Sequence, residues 1–184
     1  MKLHGYKVRI ANKDDEKFAS EISMETKRSA IARGSGIANR SPDLIIQKMR
    51  AGRAVVAVTG DGRWAGFSYV EPWANGEFVS NSGMIVSPEF RKGGVAGAIK
   101  RKIFALSRKL FPKSKIFSIT TGFAIMKMNA KLAFETVTFE QLPHESAFWE
   151  GCSSCIHYNL LNSQNRKNCL CTAMLFTPAI IKNK

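Results

Sequence analysis

The stretch from residue 78 to residue 110 constrains the fold of this chain more than any other part. It opens with an apolar segment, 78–86, that stops just before Pro88, a residue with no N–H to donate to a sheet. Two adjacent glycines follow, and from there apolar residues recur at helical spacing as far as Pro112. The pattern predicts a strand, a glycine turn and a long helix in immediate succession.

The turn between this strand and this helix is suited to an anion. The first N–H groups of a helix have no partner within it, and glycines let the backbone approach a ligand closely. Arg91 and Lys92 add positive charge just before Gly93 and Gly94. The spacing and the lack of a terminal Lys-Ser/Thr pair exclude a Walker-type phosphate loop. A glycine turn before a helix is also a common plain connection, so these residues alone do not identify the anion.

Strands and helices alternate along the rest of the chain. Strands are predicted over 6–10, 54–58, 64–71, 115–120 and 136–139 and near 169–176, and helices over about 12–29, 41–49, 94–110 and 124–132. A hairpin around Gly60-Asp61-Gly62 and the later crossover helices indicate an α/β sheet of mixed direction. With 184 residues, 45% of them hydrophobic, we expect one domain spanning 1–184.

The charge balance favours a polyanionic partner. The chain has 28 Lys and Arg against 14 Asp and Glu, a formal net charge of +14, which suits nucleic acid, acidic lipid or a phosphate-rich cofactor. No apolar stretch reaches the roughly 20 residues of a membrane span, and the N-terminus carries none of signal-peptide length. We therefore expect a soluble cytoplasmic protein that has no membrane partner.

The motif Arg91-x-x-Gly94-x-Ala96, after the strand end Val86-x-Pro88, resembles the R-x-x-G-x-G/A motif of the GNAT superfamily of CoA-dependent N-acyltransferases. The order of elements over 6–139 is similar as well. The resemblance implies the GNAT fold, a mixed central sheet with flanking helices, and acetyl-CoA or another acyl-CoA as co-substrate. It implies that the pantetheine arm is bound by the main chain of Met84, Ile85 and Val86. It also implies that the pyrophosphate is bound by Arg91, Lys92, Gly93, Gly94, Val95 and Ala96.

Three further stretches resemble one bacterial subgroup of that superfamily, which is linked to the first acylation step of arginine biosynthesis, on glutamate. They are 30–38, 126–134 and 148–155. This resemblance implies direct transfer of an acetyl or succinyl group to the amine of a small acceptor, an amino acid such as glutamate. It leaves open which acyl group is transferred and whether the chain forms a homodimer.

Two residues are candidates for proton transfer. Glu71 ends a predicted strand near Trp73, and a carboxylate shielded by an aromatic side chain can act as a general base. The alternative for Glu71 is an exposed carboxylate in a turn. Asn129 occupies the position where the family pattern Y-x-K-L-G-F has its tyrosine, and Asn cannot act as an acid. It remains a candidate to hydrogen-bond the sulfur or the pantetheine, or else it is a polar residue on a solvated helix face.

Three arginines of the first helix and the loop after it are candidates for binding the acceptor. They are Arg28, Arg33 and Arg40. A guanidinium group binds a carboxylate through two parallel hydrogen bonds, so a wall of arginines suits an acceptor with two carboxylates, such as glutamate. The alternative for each arginine is a solvent-exposed surface charge.

All four cysteines lie near the end of the chain, within a predicted Cys-rich insertion spanning 140–172. They are Cys152, Cys155, Cys169 and Cys171. In a cytoplasmic protein, cysteine pairs at such short spacing are typical of a structural Zn²⁺ site. The alternative is that Cys169 and Cys171 alternate with Ala173 and Leu175 on the buried face of the last strand.

Two other functions remain open at this stage. The charge and the cysteines would also suit a zinc-bearing module that binds nucleic acid. That interpretation leaves the succession of strand, glycine turn and long helix unexplained, so a nucleic-acid partner is the weaker hypothesis. A GNAT fold that binds CoA without catalysis is the second, because the tyrosine of the family pattern is replaced by Asn129.

Overall fold

The structure is a computed structural model that describes residues 5–34, 36, 39–167 and 169–179. Its strands are β1 (Tyr6–Ile10), β2 (Ala54–Thr59), β3 (Trp64–Trp73), β4 (Phe78–Val86), β5 (Lys115–Thr120), β6 (Glu135–Val137) and β7 (Thr172–Phe176). Its α-helices are α1 (Ala19–Arg33), α2 (Pro42–Arg50), α3 (Val95–Leu110), α4 (Phe123–Ala130), α5 (Ser146–Glu150) and α6 (Tyr158–Ser163). Among the helices described, none is long and apolar enough to cross a membrane.

The seven strands form one mixed sheet in the order β1-β2-β3-β4-β5-β7-β6. The strands pair antiparallel throughout except β4 and β5, which run parallel. The β4–β5 ladder joins only three residue pairs and ends where Ser80 meets Phe117. Beyond that pair the two strands separate, and the sheet has an opening near its centre.

A bulge in β4 lies beside this opening. Phe67 of β3 pairs with Ile85, but Tyr69 pairs with Ser82, so the register shifts between the two pairs. Gly83 lies in the shifted part with φ of +64°, and a Cβ atom on it would come within 2.6 Å of the Tyr69 ring. The bulge therefore requires glycine both for its backbone conformation and for the close approach of the tyrosine.

Different helices cover the two faces of the sheet. On one face, Ile22 of α1 and Ile45 of α2 pack in a cluster with Phe67. On the other face, Ile99 and Ile103 of α3 are fully buried. Each of these aliphatic side chains contributes about 1.5–3 kcal/mol through its burial. The amphipathic pattern predicted for α3 is therefore confirmed, and this helix is held against the centre of the sheet.

The element order predicted from the sequence is confirmed as far as β6, with ends shifted by a few residues; α5 and α6 were not predicted, and the last strand starts later than expected. β7 begins at Thr172 because Thr172 pairs with Thr120, the final residue of β5. Cys169 and Cys171 precede the strand, so the hypothesis that they alternate on its buried face with Ala173 and Leu175 is wrong. The mixed α/β architecture expected from the pattern is present.

Residues 138–167 and 169–171, which we call the tail segment, lie between β6 and β7 and fold back over the open end of the sheet. The Phe148 ring of α5 packs edge-on against the Trp73 ring at the end of β3, with centroids 5.2 Å apart. Farther along, the hydroxyl of Ser154 accepts a hydrogen bond from the N–H of Asn39 at 3.1 Å. The tail segment therefore contacts both β3 and the loop between α1 and α2.

Helix α3 carries a buried lysine, Lys100. The Lys100 ammonium is 3.4 Å from Asn81 Oδ1 and 4.9 Å from the centroid of the Phe134 ring, and neither partner carries a charge. Only 2% of the residue is exposed. Burial lowers the pKa of Lys100 from 10.5 to about 7, since a charged ammonium loses its hydration there. The unfolded chain therefore binds more protons than the folded one between these two pH values.

This proton difference predicts that the protein is more stable at alkaline pH. The Lys100→Met variant should have a higher free energy of unfolding than wild type, by up to a few kcal/mol below pH 7. This difference should vanish above pH 10.5, where the lysine is neutral in both the folded and the unfolded chain. Denaturant unfolding between pH 6 and about pH 10 measures it. Lys102→Met, a change at an exposed position on the same helix, is the matched control and should leave stability within about 0.5 kcal/mol. Equal pH dependence in wild type and Lys100→Met would contradict the explanation.

Candidate active site

A cavity of about 560 Å³ lies where β4 and β5 separate. Residues 80–86 of β4 line one side of it and residues 117–120 of β5 line the other. The remaining walls come from the end of β3, the α1–α2 loop, the start of α3 and the tail segment. Parts of the chain that are far apart in sequence therefore meet at the opening in the sheet.

The start of α3 forms one end of this cavity and is built to bind an anion. Gly94 precedes the helix with φ of +81° and makes no side-chain capping bond. The first hydrogen bond of the helix runs from the Ala98 N–H to the Gly94 carbonyl, so the amides of residues 95–97 have no partner within the helix. These free donors and the positive end of the helix dipole favour a negatively charged group.

The residues predicted from the sequence to bind a CoA molecule fall into three groups. Those that line the cavity are Met84, Ile85, Val86, Arg91 and Ala96. Those that are exposed on the turn beside it are Lys92, Gly93 and Gly94. The side chain of Val95 is buried in the core at 2% exposure, so only its N–H is available to a ligand.

The guanidinium of Arg91 makes its contacts within the protein. Its Nη2 lies 2.5 Å from Glu25 Oε1 and 2.9 Å from the hydroxyl of Ser29, both on α1, and its Nε donates to the Val86 carbonyl at 3.2 Å. Arg91 therefore joins α1 to the end of β4 and fixes the turn. The positive charge assigned to it as a pyrophosphate ligand is compensated by Glu25 in the structure.

Tyr69, Glu71 and Trp73 alternate along β3 and all line the cavity. Glu71 is partly buried, and its Oε2 lies 2.5 Å from the ammonium of Lys48 on α2. The indole N–H of Trp73 donates to the Ser80 hydroxyl at 3.0 Å. Glu71 therefore faces the cavity rather than lying in an exposed turn, and its role as a base stays a prediction. The structure adds a lysine partner that the sequence did not indicate.

Tyr69 was not identified from the sequence, although its two-residue spacing from Glu71 on a strand would have placed both on one face. Its phenol oxygen accepts a hydrogen bond from Nη1 of Arg40, and the Arg40 guanidinium lies 5.4 Å from the ring centroid. Burial raises the pKa of Tyr69 above its ordinary value of 10.0; the positive charge of Arg40 opposes this rise and Glu71 adds to it. Tyr69 therefore keeps its proton at neutral pH.

The structure separates the three arginines predicted to bind the acceptor. Arg33 and Arg40 line the cavity. Arg28 lies instead on the outer side of α1, in a shallow surface depression with Met24, Lys27, Ile31 and Ala32. The reason is helical geometry, because residues 28 and 33 are about 140° apart around α1.

Asn129 is not part of the cavity. It is fully buried in α4, and its amide nitrogen lies 3.5 Å from the sulfur of Met174 on β7. Its Oδ1 has no hydrogen-bond partner among the described residues. The prediction that Asn129 contacts the pantetheine or the sulfur is therefore corrected, and so is the alternative of a solvated position. The α4 helix packs this side chain beneath β7.

The four cysteines line the cavity on the side of the tail segment. Burial raises the pKa of Cys152 to about 11, with the neighbouring Cys155 and Cys169 adding to the rise. Burial and the other three thiols also raise the pKa of Cys171. Even so, the described residues contain no group of three or more His, Cys, Asp or Glu side chains placed to hold a metal ion. The predicted four-cysteine zinc site is therefore not supported.

The architecture has many counterparts among solved structures, although no family model and no curated protein matches the chain. The yncA protein of Salmonella typhimurium, solved with acetyl-CoA, aligns with a TM-score of 0.67 and 13% identity over 98% of each chain. Phosphinothricin acetyltransferase of Sinorhizobium meliloti, also with acetyl-CoA, gives 0.65 and 17% over 97% of this chain and 92% of that one.

A third similar structure is the N-acetylglutamate synthase of Neisseria gonorrhoeae, solved with CoA and N-acetyl-glutamate. It aligns with a TM-score of 0.64 and 16% identity over 95% of this chain. The alignment covers 35% of the synthase, so this chain spans about a third of that protein's length. These similarities lie in three-dimensional structure, and they show that the chain has the fold of the GNAT acetyltransferases.

Proposed function

We propose that this protein is a CoA-dependent N-acyltransferase that moves an acetyl or other acyl group from acyl-CoA to the amine of a small acceptor. The observation that carries the proposal is the opening between β4 and β5 directly beside the uncapped start of α3. One extended ligand with a pyrophosphate at one end and a thioester at the other would fit both features. The fold is shared with structures solved with CoA or acetyl-CoA.

The donor would be bound mainly by backbone groups. The free amides at the start of α3 and the exposed ammonium of Lys92 would bind the pyrophosphate, while the main chain of Met84 to Val86 would hydrogen-bond the pantetheine in place of a neighbouring strand. The hydroxyl of Tyr6 lies 3.4 Å from the Gly93 carbonyl and would help to hold the turn in shape. Arg91 would support the donor site indirectly, because its contact with Glu25 holds α1 against the turn.

Acyl transfer needs a base, because the attacking amine must lose a proton as the new bond forms. Glu71 would serve, since its carboxylate lines the cavity and is held in place by the Lys48 ammonium, 2.5 Å from Oε2. Oε1 of the same carboxylate is the atom proposed to receive the proton. The amine would then attack the thioester carbonyl from the side of β3.

We further propose an acceptor that carries a carboxylate, with glutamate as the first candidate. Arg33 is exposed, lines the cavity and would pair with the carboxylate of an amino acid. The Neisseria synthase was solved with N-acetyl-glutamate, the product expected for this acceptor. A role in the first acylation of arginine biosynthesis rests on this acceptor and on the sequence resemblance of residues 30–38, 126–134 and 148–155.

The test of the function is release of free thiol from acyl-CoA in the presence of candidate amines. Purified protein is assayed with acetyl-CoA and succinyl-CoA against the amino acids, and the acylated product is identified by mass. Turnover with one donor and one amine is the expected result. Tight binding of CoA with no thiol release from any combination would show a protein that binds CoA without catalysis.

We expect Gly94→Ala to weaken CoA binding by about tenfold or more. An alanine is strained at φ of +81°, and its Cβ would lie 3.4 Å from the Tyr6 hydroxyl, so the first amides of α3 would shift. Isothermal titration with CoA measures the loss. Gly60→Ala is the matched control, because a Cβ atom on Gly60 would have no neighbouring atom within 4 Å and the residue has no positive φ. Its affinity should equal that of wild type. Wild-type affinity in Gly94→Ala would contradict the assignment of the anion site.

We expect Arg33→Met to raise the KM for the acidic acceptor about tenfold or more while leaving the KM for acyl-CoA unchanged, because only the acceptor would lose its charged partner. Arg28→Met is the matched control: it removes the same charge from the same helix but outside the cavity, and both KM values should stay at wild-type levels. Steady-state kinetics with each substrate varied in turn measures both. An unchanged KM for the acceptor in Arg33→Met would contradict the proposal that Arg33 binds a carboxylate of the acceptor.

A further inference from the structure

The proposed reaction leaves one proton without a source. When the thioester is cleaved, the departing sulfur needs a proton or a positive charge nearby. Asn129, at the position of the family's tyrosine, is fully buried beneath Met174 and carries no acidic proton. Any acid for this step must therefore come from another part of the cavity wall.

Tyr69 has the geometry for this role. It projects from β3 into the cavity, and its ring packs directly over Gly83 in the bulge of β4. The next residue, Met84, belongs to the stretch of main chain proposed to hold the pantetheine. The Tyr69 side chain therefore lies at the end of the opening where the thioester would be placed.

The hydrogen bond between Arg40 and Tyr69 does not use the phenol proton of Tyr69. Arg40 has only donors, so the phenol oxygen accepts from Nη1 of Arg40, and the phenol hydrogen is directed elsewhere. The backbone of Arg40 is held against α1, because its carbonyl accepts a hydrogen bond from the Ser23 hydroxyl at 2.7 Å. The proton can therefore be given up without breaking the contact that orients the ring.

We propose that Tyr69 is the general acid that protonates the departing CoA thiolate, and that Arg40 is the residue that positions it. This inference rests on the proposed acyltransferase function. It assigns proton donation to β3, two residues before the proposed base, rather than to α4.

The proposed acyl transfer has two stages, addition of the amine and loss of the thiolate. The amine nitrogen bonds to the thioester carbon, and its proton passes to Glu71. The tetrahedral intermediate then collapses; the C–S bond breaks, its electron pair moves to sulfur, and the phenol proton of Tyr69 completes the thiol of CoA. The phenolate that remains is stabilised by the Arg40 guanidinium. Transfer of the proton from Glu71 to Tyr69 through water restores both groups for the next cycle.

The charges around Tyr69 fit an acid that holds its proton until it is needed. Burial and the carboxylate of Glu71 favour the neutral phenol, while Arg40 favours the phenolate. Other titratable groups reach the cavity from the elements around it. They are Arg33 of α1, Arg91 before α3, and Cys152, Cys155, His157, Tyr158, Cys169 and Cys171 of the tail segment, with Lys48 of α2 paired to Glu71. Arg40 is the group that contacts the phenol oxygen directly.

The first experiment compares Tyr69→Phe with Thr136→Val, using the donor and acceptor that wild type turns over. Thr136 is exposed on β6 and does not line the cavity, so its replacement also removes a hydroxyl but away from the proposed site. We expect Tyr69→Phe to lose about 10²-fold or more in kcat with an unchanged Kd for CoA, since a general acid contributes about that much. Thr136→Val should stay within about threefold of wild type. A Tyr69→Phe enzyme with kcat within threefold of wild type overturns the proposal.

The second experiment separates acid catalysis from a structural role of the ring and also applies if Tyr69→Phe does not fold. Tyr69 is replaced by a fluorinated tyrosine, which keeps the hydroxyl but makes the phenol more acidic. The falling limb of the kcat–pH profile at high pH should move to lower pH in step with the acidity of the substituted phenol. A limb that does not move overturns the proposal. Because wild type must be active in both experiments, an inactive wild type refutes the proposed function itself, not this assignment alone.

Discussion

The end of the β4–β5 ladder at Ser80 and Phe117 is the constraint on which the rest of the structure depends. Two parallel strands that stop pairing within a sheet leave backbone N–H and C=O groups without partners, and such groups need another source of hydrogen bonds. The bulge at Gly83 directs β4 away from β5 at this point. An extended ligand with amide groups could complete the interrupted sheet, and this is the basis of the proposed binding site.

The positive charges around this opening are largely used inside the protein. Lys48 pairs with Glu71, Arg91 with Glu25, and Arg40 with the phenol of Tyr69. Each pair fixes a helix or loop against the strands that form the cavity. The net charge of +14 therefore says little about how a ligand is held. The uncapped amides of α3, the exposed Lys92 and Arg33 are available to meet negative charge, together with Arg40, whose phenol partner is neutral.

The tail segment forms part of the cavity wall. Phe148 packs on Trp73, Ser154 bonds to the backbone of Asn39, and His157 Nε2 lies 3.1 Å from the Gly34 carbonyl. Its four thiols face the cavity with raised pKa values at Cys152 and Cys171, which makes these two thiols uncharged at neutral pH. The segment thus adds aromatic and thiol side chains to the cavity wall.

The sequence by itself determined the features that depend on neighbouring residues. These are β4, the Gly94 turn, α3 and the mixed α/β fold. Their cause is short-range, because the conformations of glycine and proline and the spacing of apolar residues act within a few positions. Only the tertiary structure decided which polar side chains meet. Arg28 turned away from the cavity, Asn129 was buried under β7, and Tyr69 gained Arg40, since these outcomes depend on packing between distant segments.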